Sequence, residues 1–191
     1  MIKFIYCGLI ASIMIFGGNV LAEELDAGQI LKEITQKGAK LVIAEYWMTE
    51  DYDKSEQLVN AISTGTKEWL EVARLLKSES DAAVSEDLFF AISLALHKNP
   101  IGVLSLIKTQ PRKSQPNDFF IDWICRDPYL EDAVDLATEI KFLKDTEKAL
   151  VCMYDPTHDK EIDVLRWQCL ESIRRDLKIV VHDKDQSAVP E

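Results

Sequence analysis

The sequence predicts an all-α protein of about eight short helices, stacked as αα-hairpins around one core and carrying one disulfide. Apolar residues recur at the three- and four-residue spacing of amphipathic helices, and no alternating strand pattern runs for more than a few residues. Cap residues and prolines divide the chain at short intervals, whereas glycine is scarce, with seven residues in 191. The hairpin spacing is repeat-like, although no fixed period holds along the chain.

The first 22 residues have the three parts of a secretory signal peptide. Lys3 gives a basic start, residues 4–20 form an uncharged apolar run, and Val20-Leu21-Ala22 fits a signal-peptidase site. A run of this length is also long enough to anchor a chain in a membrane. The acidic pair Glu23-Glu24 directly after the cleavage pattern favours removal of the leader. We therefore expect a periplasmic or secreted protein with no stable membrane anchor after cleavage.

The first half of the domain is expected to contain six helices. Their predicted limits are 23–37, 39–48, 54–63, 67–77 and 82–98, with a sixth helix beginning at Pro100. Thr66, Asp81 and Asn99 each precede a helix and are the expected N-caps. Between residues 88 and 96 only Ser93 is polar, so the fifth helix is expected to be buried on nearly all sides and to form the centre of the fold.

The second half of the domain begins with a loop over 109–117, which contains Pro111 and Pro116 among polar and basic residues. The apolar patterns then predict helices over 119–125, 138–153 and 158–178. We expect a single helical domain over residues 23–180. Residues 181–191 carry charge without an apolar pattern and are expected to form a disordered tail.

Three cysteines follow the leader: Cys125, Cys152 and Cys169. Export would place them in an oxidising compartment, where one intramolecular disulfide and one remaining thiol are expected. The residues themselves do not select among the three pairings. If Cys152 is the remaining thiol, it is expected to be a buried apolar side chain, because it lies in the apolar run 150–153.

The chain is strongly acidic, with 33 Asp and Glu against 22 Lys and Arg and a formal net charge of −11. Nucleic acid and anionic lipid are polyanions that need neutralising Lys and Arg, so neither is expected as the main partner. An acidic surface instead favours a basic protein partner, although a solvated surface without a partner is the structural alternative.

The strongest catalytic candidate is the group Asp155, His158 and Glu161, spaced three residues apart near a helix start. An imidazole close to carboxylates can bind a metal ion or act as an acid–base pair. The structural alternative is favoured: Asp155 ends a helix before Pro156, and early acidic residues interact with the helix macrodipole. No phosphate-binding loop, nucleophile elbow or metalloprotease motif occurs, and no cofactor is predicted.

A candidate protein-binding surface combines Tyr46, Trp47 and Tyr52 with Asp51 and Asp53. Aromatic side chains bordered by carboxylates are typical of the rim of a protein interface. Core packing is the structural alternative, and it is the expectation for all four tryptophans, which lie in helical apolar patterns at positions 47, 69, 123 and 167.

Short motifs spread along the chain carry a resemblance to known proteins. They are residues 65–73 (Gly-Thr-Lys-Glu-Trp-Leu-Glu-Val-Ala), 80–82 (Ser-Asp-Ala), 95–100 (Ala-Leu-His-Lys-Asn-Pro) with Val103-Leu104, Cys125 with Pro128, and Cys169-Leu170. This set resembles a group of small exported bacterial all-helical proteins of unknown function. The resemblance covers most of the chain after the leader, implies a Cys125–Cys169 bridge with Cys152 as the departure, and brings no known activity. In format alone the chain also resembles the immunity proteins that protect bacteria from type VI secretion effectors.

These observations favour a non-catalytic exported binding protein, most concretely an inhibitor or immunity protein for an envelope-acting toxin. The first alternative is an exported hydrolase or metal-dependent enzyme that uses His158 with Asp155 and Glu161. The second alternative is an envelope assembly or stress factor, which would have several weak partners rather than one tight partner.

Overall fold

The computed structural model describes residues 25–49, 52–109, 117–129 and 135–187. The predicted signal peptide over residues 1–22 lies outside these ranges, as do most of the predicted loop over 109–117 and the last residues of the predicted tail. None of the helices in the described ranges combines the length and the apolar character needed to cross a membrane.

The fold is all-α, as predicted: the described residues form nine α-helices and no strand. The helices, in chain order, are α1 (Ala27–Lys37), α2 (Ala39–Trp47), α3 (Tyr52–Ile62), α4 (Lys67–Lys77), α5 (Ala82–Leu96), α6 (Pro100–Thr109), α7 (Asn117–Ile124), α8 (Leu136–Cys152) and α9 (Lys160–Ser187).

The predicted N-caps of the first half are confirmed. The Thr66 hydroxyl accepts the N–H of Trp69 at 3.4 Å, and the Asp81 carboxylate accepts the N–H of Val84 at 3.1 Å. These side-chain oxygens satisfy backbone donors that have no partner inside the helix. The polar residues that read as helix starts in the sequence therefore fix the starts of α4 and α5.

Helix α5 is the centre of the fold, as its composition predicts. It packs against α3, α4, α6 and α7, and its buried face is broad; this face contains Val84, Leu88, Phe89, Ala91, Ile92, Ser93, Ala95 and Leu96, whereas Glu86 and Asp87 remain exposed. The hydroxyl of its one polar central residue, Ser93, donates to the carbonyl of Trp123 at 3.2 Å. A buried serine is tolerated here because the carbonyl oxygen replaces the water molecule that its hydroxyl would otherwise bind.

The turn between α5 and α6 is clamped to the turn that follows α3. The Asn99 amide nitrogen donates to the carbonyl of Gly65 at 2.8 Å, and the Asn99 amide oxygen accepts the N–H of Gly102 at 3.0 Å. The Lys98 ammonium donates to the carbonyl of Ser63 at 2.9 Å. Gly65 has φ +73°, a conformation that glycine adopts without strain. One asparagine therefore caps α6 and also joins two connections that are distant in sequence.

Helices α8 and α9 form a long hairpin that contacts the rest of the fold mainly through α9, which packs on α6 and α7. Cys125, directly after α7, and Cys169 in α9 lie at disulfide distance, with their Cα atoms 4.8 Å apart. The pairing implied by the resemblance is confirmed. It links the hairpin to the α5-centred part of the fold.

Helix α9 is longer than its pattern predicts. It runs to Ser187, so residues 181–187 are helical where the sequence predicted the start of a disordered tail. The buried side chain of Val180 continues the inward stripe of Ile173 and Leu177, and this contact supports the helix beyond the predicted end. Residues 182–187 contain no apolar side chain, so no inward stripe marks this last part of the helix in the sequence.

Two predictions of burial are wrong. Cys152 is exposed, because Leu143, Thr146 and Leu150 form the inward stripe of α8 and Cys152 falls two residues beyond that stripe. Trp167 is 58% exposed, because α9 directs Leu165, Cys169 and Ile173 inward. An apolar neighbourhood in sequence does not decide burial, since neighbouring residues of a helix face different directions.

Candidate functional site

An acidic groove lies where α1, α2 and α3 meet. It has a volume of about 630 Å³, within the range of ordinary binding clefts. It is lined by Leu25, Asp26, Gln29, Ile30, Glu33, Lys37, Glu45, Tyr46, Thr49, Asp53, Lys54 and Gln57, and is called the acidic groove below. Four of these side chains are carboxylates and two are ammonium groups, so the lining carries negative charge.

Helix α1 contributes one wall of the acidic groove. Asp26, Gln29, Glu33 and Lys37 follow one another at helical spacing and share one face of α1. Asp26 caps this helix by accepting the N–H of Gly28 at 2.7 Å. The buried side of α1 lies next to this face and holds Ala27, Ile30 and Ile34 in the core, and Ile30 also lines the groove.

A shared lysine ties α1 to α2 at the edge of the groove. The Lys37 ammonium lies 3.1 Å from the Glu33 carboxylate and also contacts the Glu45 carboxylate. The hydrogen bond with Lys37 is the largest influence on Glu33 and lowers the pKa of that carboxyl group. The hydrogen bond with Glu45 raises the pKa of Lys37, with Glu33 next in effect. Both shifts favour the charged forms of Glu33 and Lys37.

Tyr46 supplies the aromatic surface of the acidic groove. Its side chain is half-buried and packs against the core. Burial raises the pKa of the Tyr46 hydroxyl, and the nearby Glu33 carboxylate raises it further, so the phenol stays protonated at neutral pH. A phenol ring with a retained O–H, held between carboxylates, presents an apolar face and a hydrogen-bond donor to a ligand.

The structure brings together part of the predicted protein-binding surface. Tyr46 and Asp53 line the same groove. Trp47 does not: its indole N–H donates to the Asp87 carboxylate of α5 at 2.8 Å. Consecutive residues of a helix are about 100° apart, which explains why Tyr46 and Trp47 face different neighbours. Asp51 and the side chain of Tyr52 lie outside the described residues.

Sequence reasoning missed the contribution of α1. Asp26 and Glu33 line the groove beside Tyr46 and Asp53, but neither of them belongs to the predicted binding surface. The polar stripe 26, 29, 33 and 37 on α1 was a usable signal for one face of the helix. That this face lies against α2 and α3 depends on how the helices pack and not on the stripe itself.

The predicted catalytic group lies at the turn between α8 and α9. In this turn the Asp155 carboxylate accepts hydrogen bonds from nearby residues of the same turn. One oxygen of the Asp155 carboxylate accepts the N–H of Thr157 at 2.8 Å and its hydroxyl at 2.7 Å. The other oxygen accepts the N–H of Asp159 at 2.9 Å. The hydrogen bond from the Thr157 hydroxyl is the largest cause that lowers the pKa of Asp155.

His158 and Glu161 face other surroundings. His158 is exposed, has φ +52°, and stacks edge-on against Tyr154 with ring centroids 6.4 Å apart. The carboxylate of Glu161 lies 3.8 Å from the Lys108 ammonium of α6. Within the described ranges, no three His, Cys, Asp or Glu side chains are arranged to hold a metal ion. The spacing of three in sequence therefore marks a capped turn at the start of α9.

Over its described residues the chain is all-helical, with one cysteine pair at disulfide distance and an acidic groove on its N-terminal helices. Comparisons with protein-family models, with curated proteins and with solved structures gave no match.

Proposed function

We propose that this chain is a non-catalytic, exported binding protein whose acidic groove binds a basic protein. The most concrete form of this proposal is a periplasmic inhibitor or immunity protein for an envelope-acting toxin. The single observation that carries it is the groove itself, where Asp26, Glu33, Glu45 and Asp53 surround the half-buried ring of Tyr46.

The negative charge of the chain supports this proposal in two ways, by long-range attraction and by pairing at contact. The net charge of −11 attracts a basic protein over the range of a Debye length and raises the rate of encounter. At contact, the carboxylates of the groove pair with Lys or Arg side chains, and the Tyr46 ring offers them an aromatic face. A toxin that acts on the polyanionic envelope is itself expected to be basic, which matches this surface.

The geometry around His158 gives the enzyme alternative little support. The Asp155 carboxylate is engaged by three donors of its own turn, and Glu161 lies toward Lys108. A catalytic acid–base pair needs the carboxylate or the imidazole to reach a substrate. The acidic groove is the better supported site, because its aromatic ring and its carboxylates converge on one open cleft.

The first experiment is a pull-down with tagged protein against an extract of the source cells and their secreted proteins. We expect one stoichiometric basic partner that survives moderate salt. The double variant Glu45→Lys/Asp53→Lys should lose the partner, because it reverses two charges of the groove. Glu79→Lys is the control for a charge reversal outside the groove, since Glu79 is exposed and does not line the groove.

The captured partner is then produced alone and tested for toxicity in the periplasm. Co-expression of the unaltered chain should restore growth, and the double variant should not. Several weak partners that are equally affected by Glu79→Lys would favour the envelope assembly or stress factor. A tight partner that the double variant still binds would place the interface elsewhere and contradict the assignment to the acidic groove.

A further inference from the structure

A second cavity lies between α5 and the end of α7 with the turn that follows it. It has a volume of about 450 Å³ and is bordered by Glu86, Asp87 and Phe90 of α5, and by Trp123, Arg126 and Asp127. Three of these six side chains are carboxylates and one is a guanidinium. None of them lines the acidic groove, so this cavity is a separate feature of the surface.

Asp127 is the unusual member of this lining, because it is 1% exposed. Its Oδ1 accepts the N–H of Tyr129 at 2.9 Å, and its own N–H donates to the Asp176 carboxylate at 3.1 Å. Its Oδ2 is buried and accepts no hydrogen bond from the described residues. A buried carboxylate oxygen without a donor is costly, and a ligand that supplies a charged N–H would remove that cost.

The mouth of the cavity adds further negative charge. Glu86 and Asp87 are both exposed on α5, and Asp87 is held in place by the indole N–H of Trp47. The Arg126 guanidinium lies over the Trp123 ring at 5.2 Å from its centroid. The walls therefore combine carboxylate acceptors with a planar surface that already accommodates one guanidinium.

We propose that this cavity binds a guanidinium group. A guanidinium is planar, carries five N–H donors in a fixed fork, and is more weakly hydrated than an ammonium. It can donate to the Oδ2 of Asp127 while other N–H groups reach Glu86 or Asp87 at the mouth. The group belongs either to an arginine side chain of a protein or to a free small molecule, and the chemistry that recognises it is the same.

The indole N–H resonances of the four tryptophans make a direct test by nuclear magnetic resonance. Methylguanidinium is titrated into the isotope-labelled protein while the indole signals are followed. The Trp47 and Trp123 signals should shift together along one saturating curve, because Trp47 binds Asp87 and Trp123 lines the cavity. Trp69 is buried elsewhere and Trp167 lies on α9, so their signals should stay unchanged and serve as internal references.

Variants connect the binding to the carboxylates. Asp127→Asn should weaken methylguanidinium binding about tenfold, because a charge-assisted hydrogen bond becomes a neutral one. Glu86→Gln should weaken it about threefold, since an exposed charge contributes less. Glu79→Gln removes the same charge outside the cavity and should leave the affinity unchanged. Glu86 is exposed, so its variant keeps the test valid if Asp127→Asn fails to fold.

The source of the guanidinium is resolved by two further ligands. Tighter binding of an end-blocked arginine tripeptide than of agmatine identifies an arginine of a protein, and the reverse order identifies a free small molecule. The proposal is overturned if methylguanidinium shifts neither Trp47 nor Trp123, or if propylammonium or Ca²⁺ binds equally well. It is also overturned if Glu86→Gln and Asp127→Asn behave like Glu79→Gln. The groove variant Glu45→Lys/Asp53→Lys should not affect this binding, which separates the two sites.

Discussion

The α5-centred part of the fold (α1–α7) and the α8–α9 hairpin use different means to stay folded. In the first, α5 buries a broad apolar face against α3, α4, α6 and α7, and Asn99 joins two turns by hydrogen bonds. In the second, two amphipathic helices bury one stripe each and leave Trp167, Val164 and Val151 exposed. The disulfide joins the hairpin to the rest.

The same two regions show that acidic residues serve different purposes. In the acidic groove, Glu45 and Asp53 surround an aromatic ring at an open cleft. In the α8–α9 turn, the carboxylate of Asp155 is engaged by Thr157 and Asp159. Both regions use carboxylates. In the α8–α9 turn the carboxylate oxygens already accept hydrogen bonds from neighbouring residues, whereas in the groove they face an open cleft.

The largest effect is expected from the disulfide. Replacing Cys125 and Cys169 by alanine should lower the free energy of unfolding by about 4 kcal/mol, because the bridge closes a chain segment of 44 residues in the unfolded state. Urea unfolding followed by far-ultraviolet circular dichroism measures the change. Cys152→Ala is the control and should leave the unfolding midpoint unaltered. A loss well below 1 kcal/mol in the double variant would show that the hairpin is held by packing alone.

The next effect contrasts a buried with an exposed side chain. Leu88→Ala should cost about 3 kcal/mol, because Leu88 is fully buried at the centre of α5. Trp167→Ala should cost at most about 0.5 kcal/mol, despite removing a larger side chain, since more than half of it is in water. Equal losses for the two variants, measured by urea unfolding, would contradict the one-sided burial of α9.

A smaller effect is expected at the Asn99 clamp. A Cβ at Gly102 would lie 2.4 Å from the Asn99 amide nitrogen, so Gly102→Ala should displace Asn99 and cost about 1 kcal/mol. In an Asn99→Ala background the same substitution should become neutral or stabilising by about 0.5 kcal/mol, because alanine is the better helix former. A double-mutant cycle in urea measures this change of sign. Additive losses would show that Gly102→Ala acts on another neighbour.

The smallest effect concerns the Asp155 turn and its dependence on pH. The lowered pKa of Asp155 means that its contribution is present above the ordinary aspartate value of 3.8 and is lost as pH falls through the lower folded-state value. Asp155→Asn should therefore lower Tm by about 3 °C at pH 6, and the gap to the unaltered protein should narrow by pH 2. Thr157→Val removes the main hydrogen bond and should give a smaller gap. If the difference in Tm between Asp155→Asn and the unaltered protein stays constant with pH, the negative charge of Asp155 does not contribute to stability.

Prediction from sequence was most successful where one residue and its near neighbours decide the outcome. Thr66 and Asp81 cap helices because their side chains reach the backbone two or three positions ahead. The composition of residues 88–96 predicted the central helix, because a segment without a polar face is stable only when other helices cover it. Cys152 and Trp167 were predicted to be buried and are exposed, because their apolar neighbours in sequence lie on other faces of the helix.

The candidate site was predicted only in part, for the same reason. The aromatic and acidic residues near position 50 indicated a binding surface, and Tyr46 and Asp53 do share a groove. Trp47 lies against α5 instead, and Asp26 and Glu33 join the groove from α1. Nothing in the spacing of α1 shows which helix its polar face will meet, since that depends on the relative placement of three helices.

The sequence by itself determined the all-α class, the positions of the main caps and the central position of α5. These follow from interactions between residues at most four positions apart and from the total apolar content of one segment. Tertiary structure alone decided that the α1 stripe would complete an acidic groove, that the buried Asp127 would line a cavity, and that the outer face of α9 would stay exposed. These outcomes depend on contacts between segments far apart in the chain, whose geometry is set by packing of the whole core.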